Sequence, residues 1–435
     1  MGRPDTETKE LGWYYLNAMP MSEYFAERFP ALQIQDFRRL WMANSFSNAG
    51  SMMQNAALHW QIYDLTGSPL ALGAMGIVRV LPIICFSLLA GTIADQSDRR
   101  KLLILTQSVM ALIAITLGVL TLTHHITVAG IYILSACGAA ATAFNNPAYQ
   151  ALVPNLVGRE RLQSAITLGS TGFQAATVIG PAMAGVVIGR LGTGWAYIIN
   201  ATTFIAPLIA LALLTYRPEP RNPSEERPGF LESLKEGIAF VRSTPILWST
   251  MSLDFVATFF ASANSLLPVF ARDILHVGAE GYGWLSAAPS VGSLTTAIAL
   301  NFLPPIKNSG RALLWAVAGF GCATIGFGFV TTFAMAFIFL ALTGATDMVS
   351  AVLRNTLRQM VTPDRMRGRM VSISMVFFMG GPQLGELEAG AVAKWFGPLF
   401  SVVSGGVATV LYTAYVAAAQ PHLRRFRMED HKMPD

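Results

Sequence analysis

The sequence predicts an all-α membrane protein of twelve transmembrane helices in two pseudo-symmetric six-helix bundles, with both termini in the cytoplasm. Three observations lead to this prediction: the composition, the length of the apolar runs and the placement of the cations. Of the 435 residues, 53% are hydrophobic and 13% are charged, whereas a soluble domain carries about 25% charged residues. The mean hydropathy of +0.48 also indicates a chain that spends most of its length in lipid.

Long apolar runs, separated by charged or Pro/Gly-containing turns, predict the individual helices. A helix needs ~20 apolar residues to cross a bilayer. The runs are continuously apolar, unlike the alternating segments of a membrane β-barrel. The sequence predicts helices at 37–63, 69–94, 101–123, 126–154, 161–189, 194–216, 245–271, 281–305, 311–331, 333–361, 370–393 and 397–420.

The cations indicate the orientation, because the cytoplasmic loops of membrane proteins are enriched in Lys and Arg. With the termini inside, the inner segments hold 25 of the 30 Lys and Arg residues. The outer turns keep Arg190, Arg272 and Lys394, while Arg79 and Arg354 fall inside predicted helices. If one helix had been missed, every later segment would be assigned to the wrong side of the membrane, and the cations would not be concentrated on one side. The net charge of +5 therefore follows from topology and requires no nucleic-acid partner.

Polar segments divide the chain into five parts. Residues 1–36 are a cytoplasmic N-terminal segment without the apolar stretch of a cleavable signal. Six-helix bundles are predicted at 37–216 and 245–420. Residues 217–244 are a cytoplasmic linker, rich in Pro and charge at first and then amphipathic, and 421–435 are a cytoplasmic tail. Two such halves are typical of a transporter with a site between them at the membrane midplane.

A charged hairpin, residues 91–101, separates predicted helices 2 and 3. Asp95 lies at the C-terminal end of helix 2, where the helix dipole is negative, so its carboxylate favours a cation or the N-terminus of another helix. Asp95 is therefore a candidate for a contact that forms in only one state of the protein. The alternative is that Arg99, Arg100 and Lys101 simply anchor the turn at the inner surface.

With this hairpin, the six-plus-six layout and the linker, the chain resembles the major facilitator superfamily over nearly its whole length. The hairpin is similar to the loop signature Gly-x-x-x-Asp-(Arg/Lys)-x-Gly-(Arg/Lys)-(Arg/Lys) of that superfamily, with departures at Gln96 and Asp98. Residues 37–41, 63–73 and 362–369 resemble the branch that contains enterobactin exporters and macrolide efflux pumps. The matching hairpin positions are Gly91, Asp95, Arg99 and Arg100.

The resemblance implies two functional motifs. The four hairpin positions would form a gating motif, in which Asp95 contacts the start of helix 11, near 367–370, when the bundles close on the inner side. Predicted helix 5 is similar to the antiporter motif Gly-Pro-x-x-Gly-Gly. Its small residues allow close packing and its proline permits a bend, although ordinary helix packing is the alternative. The members of this helix-5 packing motif are Gly180, Pro181 and Gly185.

Ionisable side chains inside predicted helices are functional candidates, because a charge at the bilayer centre costs at least ~2.5 kcal/mol. We expect Asp254, Asp347 or Glu386 to carry a coupling proton as a cation partner leaves or returns. Arg79 is a candidate contact for an anionic substrate or for one of these carboxylates. Glu386 and Glu388 point about 200° apart around their helix, so at most one faces the cavity. A static ion pair between the bundles is the alternative for each residue.

Other polar residues within the predicted helices are candidates for contacts between helices or with the cavity. Arg354 follows Asp347 by two turns, which is too far for a comfortable pair within one helix, so we expect each to have a partner elsewhere. His59, beside Trp60, is interpreted as a residue of the aromatic belt. Amides could line the cavity or could form hydrogen bonds between helices. The substrate-cavity candidates besides Arg79 are Asn48, Gln54, Asn55, Asn145, Gln174 and Asn264.

These features predict a secondary active transporter that exports an amphipathic small molecule, siderophore or drug-like, by alternating access and in exchange for protons. The alternative is a lipid or lysophospholipid transporter, or flippase, of the same fold. A multi-pass monomer of the cytoplasmic (inner) membrane is expected, with the substrate and membrane lipids as its partners.

Motifs for other chemistry are missing from the sequence. It contains no Gly-x-x-x-x-Gly-Lys-(Ser/Thr) loop for ATP and no His-Glu-x-x-His motif. Cys85, Cys137 and Cys322 have neither disulfide nor zinc spacing. We therefore expect no enzyme activity, no metal and no cofactor, with the proton-motive force as the energy source.

Overall fold

The chain forms a bundle of long helices. The computed structural model describes residues 29–215, 238–261, 263–304, 306–363 and 366–426, apart from the side chains at 87–88, 91–92, 94–96, 263, 367–369 and 371–379. Within these ranges the chain is helical and has no β-strand, which confirms the predicted all-α class. The long helices are α1 (Gln35–Thr66), α2 (Pro69–Gln96), α3 (Arg99–Leu122), α4 and α5 (together Val128–Leu191), α6 (Thr193–Thr203 with Ile205–Ala212), α7 (Pro245–Phe260), α8 (Gly278–Leu300), α9 (Ser309–Gly328), α10 (Phe333–Val361), α11 (Arg367–Phe396) and α12 (Pro398–Ala419).

A single glycine separates α4 from α5. Gly158 has φ 72° and ψ 171°, a conformation that residues with a side chain rarely adopt. It divides the continuous stretch into α4 (128–157) and α5 (159–191). The two predicted helices are therefore present, but without the intervening loop that their predicted ends imply.

The second part of predicted helix 7 differs from the prediction. The sequence predicts one helix over 245–271, whereas α7 ends at Phe260 and continues as a 3₁₀ turn, Ala263–Leu266. A short segment and a π turn, Phe270–Ile274, follow. Pro268 lies in this stretch, and a proline cannot donate the backbone hydrogen bond that a continuous α-helix requires.

A large buried core joins the helix groups α1–α6 and α7–α12, and it lies at one end of the bundle. The odd-numbered helices contribute residues near their C-terminal ends to this core, and the even-numbered helices contribute residues near their N-terminal ends. We call this end the closed end. Core members include Met53, Ile62, Leu72, Leu117, Ile131, Ile188 and Tyr197 from the first group and Phe270, Leu285, Phe327, Leu340, Ala389 and Val402 from the second.

Glycines bring the backbones of the two groups into contact at the closed end. A Cβ atom on Gly76 of α2 would overlap the carbonyl oxygen of Gln383 in α11. One on Gly185 of α5 would lie 2.8 Å from the carbonyl oxygen of Ala279 and from the Cα atom of Gly283, both in α8. The helix pairs α2/α11 and α5/α8 approach this closely because these residues have no side chain.

At the opposite end, which we call the open end, the buried cores of the two groups are separate. Leu40, Leu103 and Leu211 belong to a core built from the first group, and Leu253 and Leu357 belong to one built from the second. Salt bridges and hydrogen bonds that join α1 and α5 to the second group lie at the closed end. The space between the groups therefore opens toward the end where α2 meets α3 and α8 meets α9.

Large apolar side chains cover the outside of the helices. Leu112 is 63% exposed and Trp315 is 78% exposed, and a surface with many such residues is typical of helices that face lipid. Eight described segments are long and apolar enough to cross a membrane. The count of twelve spans stays a prediction: α4 and α5 fall in one of the eight segments, and α1, α8 and α11 are outside them.

Most of the predicted polar segments lie outside the described residues. These are residues 1–28, 216–237 of the linker region, and the tail from 427 onward. Residues 238–243, at the end of the predicted amphipathic helix, are helical. Val241 is buried there in a core with Leu247 and Met370, so this segment packs against the second group of helices.

Candidate functional site

A three-residue ion cluster joins α7 and α10 within the second group. Arg354 Nη2 lies 2.9 Å from Asp254 Oδ1 and 3.5 Å from Asp347 Oδ1. Arg354 Nη1 also donates a hydrogen bond of 2.7 Å to Ser350 Oγ. The side chains of Arg354 and Asp254 are 14% and 16% exposed, whereas that of Asp347 is 48% exposed. One cation thus faces two carboxylates, and Asp347 is the more accessible of the two.

The sequence selects Asp254 and Asp347 separately and does not predict that they share a cation. The expectation that Asp347 and Arg354 lie too far apart to pair was wrong. Helical side chains lean toward the N-terminus of their helix, so the long Arg354 side chain reaches back two turns to Asp347. Its closer partner, Asp254, lies on another helix, as we expected for Arg354.

A second charged pair crosses from the first group to the second at the closed end. His59 Nε2 of α1 lies 4.0 Å from Glu386 Oε2 of α11, and the two side chains are 13% and 18% exposed. His59 Nδ1 lies 2.8 Å from the carbonyl oxygen of Asn55. The sequence interpretation of His59 as a belt residue misses this contact, because nothing in the spacing of α1 identifies a partner on α11.

Glu386 and Glu388 lie on different flanks of α11. The flank of Glu386 packs on α2, where a Cβ atom on Gly76 would lie 3.1 Å from Glu386 Cβ. Glu388 lies near the flank of Gly381 and Gly385, whose nearest heavy atoms belong to α7. Both Glu386 Oε2 and Glu388 Oε2 are buried and lack a hydrogen-bond partner among the described residues.

Further polar contacts surround the closed end at its rim. Asp64 Oδ1 of α1 lies 2.9 Å from Arg272 Nη1, and the Tyr63 hydroxyl donates to Asp273 Oδ2. Additional contacts are Arg190 Nε to Glu280 Oε1 at 3.3 Å and the Tyr282 hydroxyl to the Ala56 carbonyl oxygen at 3.0 Å. These contacts place the outer-turn cations Arg190 and Arg272 between the two groups.

The amides selected as cavity candidates occupy different environments. Gln54 Oε1 accepts a hydrogen bond of 2.8 Å from Asn200, and Asn145 Oδ1 accepts one of 3.0 Å from the Thr106 hydroxyl. Both bonds join helices within the first group, which was the alternative for these residues. The remaining candidates are half-buried (Asn48, Asn55, Gln174) or exposed (Asn264).

Arg79 is half-buried on α2, one turn beyond Gly76 in the direction of the open end. No described acidic side chain lies within 4.0 Å of its guanidinium. It therefore lies just past the point where α2 and α11 are in backbone contact, and it has no described counter-ion.

The hairpin between α2 and α3 lies at the open end. Asp98, which departs from the loop signature, caps α3 by accepting hydrogen bonds from the backbone N–H groups of Arg100 and Lys101. Arg99 donates to the Ala151 carbonyl oxygen at 3.0 Å, and Arg100 donates to that of Ala212 at 2.6 Å. These cations therefore hold helices of the first group together. The side chain of Asp95 lies outside the described residues, and so does its expected contact region at 367–369.

The helix-5 packing motif contacts both groups. A Cβ atom on Gly180 would lie 2.6 Å from the carbonyl oxygen of Ala49 in α1, while Gly185 meets α8. Pro181 lies inside the continuous stretch of α5. The motif therefore places α5 between α1 and the second group.

No group of three or more His, Cys, Asp or Glu side chains in the described residues could hold a metal ion.

A profile of the transmembrane secretion effector family matches residues 26–434. The chain belongs to this family. As a transmembrane secretion effector it is a multi-pass protein of the cytoplasmic membrane and a transporter of the major facilitator superfamily, which confirms the resemblance seen in the hairpin and the helix layout.

Relatives of this transmembrane secretion effector include enterobactin exporters. It is 27% identical over 394 residues to the enterobactin exporter EntS of Citrobacter koseri. The match covers 90% of this chain and 93% of the relative. Its identity to EntS of Escherichia coli is 26% over 400 residues, covering 91% and 94% of the two chains.

Solved transporters share its fold. The crystal structure of a bacterial homologue of the human lysosomal transporter Spinster, in an inward-facing and unoccupied conformation, superposes with a TM-score of 0.69 at 15% identity. The match covers 92% of this chain and 99% of that one.

Proposed function

We propose that this protein is a secondary active transporter that exports an amphipathic, siderophore-like small molecule by alternating access, in antiport with protons. The observation that carries the proposal is the closure of the bundle at one end. Buried core, backbone contacts and ion pairs join the two helix groups at the closed end, while the cores at the open end are separate. A transporter that alternates must break such a set of contacts at one end and form another at the other end.

The open end faces the cytoplasm in this proposal. The turns at the closed end are poor in cations, and the segments at the open end hold nearly all of the Lys and Arg residues. Both termini and the linker 217–244 would then be cytoplasmic, and the groups α1–α6 and α7–α12 would be the two bundles at 37–216 and 245–420. The space between the bundles would load substrate from the cytoplasm.

The cluster of Arg354, Asp254 and Asp347 supports proton coupling. Arg354 is the cation in ion-pair contact with both carboxylates, with Arg358 farther away, so a proton on one carboxylate leaves Arg354 to neutralise the other. Asp347 is half-exposed and can exchange a proton with water between the bundles, whereas Asp254 is largely buried. A change in protonation here would alter how strongly α10 is held to α7.

The siderophore-like substrate class is supported by the enterobactin exporters that cover nine-tenths of this chain. Arg79, without a described counter-ion, is the residue that we propose for contact with an anionic group of the substrate. Amides such as Asn48 and Gln174 would supply neutral hydrogen bonds beside it.

The hairpin completes the proposed cycle. When the inner side closes, Asp95 would contact the start of α11, with Gly91 allowing the close approach. Arg99 and Arg100 would hold α3 against α4 and α6. Asp95→Asn should then leave the protein folded and slow its turnover. Wild-type transport rates in that variant would remove the gating role.

Transport in reconstituted liposomes tests the proposal. With a lumen at acid pH and a neutral exterior, an antiporter accumulates substrate inside until an ionophore collapses the gradient. The substrates to compare are a catecholate siderophore, a macrolide and a lysophospholipid, with protein-free liposomes as the control. Gradient-dependent accumulation of the catecholate supports the proposal. Movement of the lysophospholipid alone would favour the lipid transporter. If none of the three substrates moves and no proton flux is detected, antiport is refuted.

A further inference from the structure

His59 and Glu386 form a charged contact between the two helix groups that the sequence did not predict. His59 is on α1 and Glu386 on α11, so the 4.0 Å between Nε2 and Oε2 spans the interface of the groups. Both side chains are mostly buried, at 13% and 18% exposure. Separating α1 from α11 at the closed end would break the contact.

The hydrogen bonds of His59 define which ring nitrogen faces the carboxylate. Nδ1 lies 2.8 Å from the Asn55 carbonyl oxygen, and a carbonyl oxygen can only accept, so Nδ1 carries a hydrogen. In a neutral ring, Nε2 would then be an acceptor aimed at a second acceptor. Glu386 Oε2 has no hydrogen-bond partner among the described residues and is buried.

At 4.0 Å the two atoms are too far apart for a hydrogen bond but close enough for an ion pair, so one proton on the pair stabilises the contact. The proton can reside on Nε2, giving an imidazolium and a carboxylate, or on Oε2, giving an imidazole and a carboxylic acid. Both arrangements hold a single proton. We propose that His59 and Glu386 bind one shared proton that holds the closed end shut and serves as a coupling proton of the transport cycle.

The other titratable and charged groups near the closed end have described partners of their own or lie away from His59 and Glu386. The Tyr282 hydroxyl of α8 donates to the Ala56 carbonyl oxygen. At the rim, α1 pairs with the turn that follows α7, and α5 pairs with α8. Lys394 is exposed near the end of α11, and Arg79 of α2 lies toward the open end. Glu388 is on the other flank of α11, beside α7. The Tyr282 hydroxyl is also close enough to Glu386 to be affected by its charge, so Tyr282 is a described titratable neighbour of the pair on α8.

The direction of the pH effect follows from linkage. In the protonated pair, an imidazolium on α1 and a carboxylate on α11 attract each other only while the two helices are in contact, so proton binding favours closure. Lowering the pH should shut the closed end, and raising the pH should open it. This step rests on the proposed antiport, in which a proton taken up on the outer side returns the protein to the state described here.

Distance measurements between spin labels test the shared proton without any substrate. Labels at His125→Cys and Thr331→Cys report the closed end, in a chain in which Cys85, Cys137 and Cys322 are replaced by Ser. In lipid nanodiscs, the population with the short distance should fall as the pH rises from acid to alkaline.

The variants His59→Gln and Glu386→Gln each supply an amide donor and remove the shared proton, so each should lose the pH response. Glu388→Gln is the matched control on the same helix and should keep it.

A pH response that persists in both His59→Gln and Glu386→Gln would overturn the inference, as would a wild-type distance that does not change with pH. If Glu386→Gln does not fold, His59→Gln decides alone. A protein that shows the response but exports no catecholate in liposomes would refute the proposed function and leave the shared proton standing. Proton-driven export with an unchanged response in both variants would refute the shared proton alone.

Discussion

The guanidinium of Arg354 contacts two carboxylates. Because Arg354 is largely buried, its removal should have a large effect on stability. It is 14% exposed, and its closer partner Asp254 is 16% exposed. Removal of Arg354 takes away the ion-pair partner of the largely buried Asp254 and leaves only the more distant Arg358 to act on its charge, which is far more costly than the loss of a pair in water. The Arg190–Glu280 pair, at 72% and 52% exposure, provides the solvated comparison.

Arg354→Met should lower the free energy of unfolding by about 3 kcal/mol, because breaking a buried ion pair leaves an uncompensated charge. The double variant Asp254→Asn/Arg354→Met should recover part of this loss, since an amide carries no charge. Arg190→Met is the control and should cost less than about 1 kcal/mol. Thermal unfolding in detergent measures the order of the variants. Equal losses in Arg354→Met and Arg190→Met would contradict the account of the cluster.

Asp347→Asn should separate transport from proton coupling. The variant loses the accessible carboxylate, so accumulation driven by a pH gradient should be lost while exchange of labelled for unlabelled substrate continues. A static ion pair would instead leave gradient-driven accumulation at the wild-type level. Measuring both reactions in the same proteoliposomes distinguishes the two roles.

At the scale of elements, the contact between α2 and α11 depends on residues without a side chain. Gly76→Ala places a methyl group on the carbonyl oxygen of Gln383, so α2 and α11 must move apart. Buried residues of the closed end, such as Ala57 at 0% exposure, should then become accessible. In an Ala57→Cys background with the native cysteines replaced, Gly76→Ala should increase labelling by a maleimide severalfold.

Gly169→Ala is the matched control for that substitution, because nothing lies within 4 Å of a Cβ atom at Gly169. Its labelling rate should equal that of the parent chain. If Gly76→Ala also labels at the parent rate, close packing of α2 on α11 does not hold the closed end.

The start of α3 offers a second test at this scale. Asp98→Ala removes the side-chain cap on the N–H groups of Arg100 and Lys101 and should cost about 1 kcal/mol of stability. Asp98→Ser retains a capping oxygen and should recover most of that loss. Thermal unfolding of the two variants provides the comparison, and identical values would show that the cap contributes nothing.

At the scale of the whole molecule, the sequence predicts the helices well because lipid imposes a length and a polarity that can be read locally. It also identifies Asp254, Asp347 and Glu386 as ionisable groups within the helices. It cannot identify Arg354 as the shared cation, or pair His59 with Glu386, since the pairing depends on how helices rotate and cross. The break after Phe260 was likewise missed, because the apolar run continues through it.

The central claim is that the two helix groups close at one end at a time and that protons drive the exchange. One spin-labelled pair, His125→Cys and Thr331→Cys, reports the closed end, and a second, Ser97→Cys and Lys307→Cys, reports the open end. Measured from acid to alkaline pH in the presence of a catecholate siderophore, the two distances should change in opposite directions. Distances that stay fixed, or that lengthen and shorten together, would contradict proton-driven alternating access.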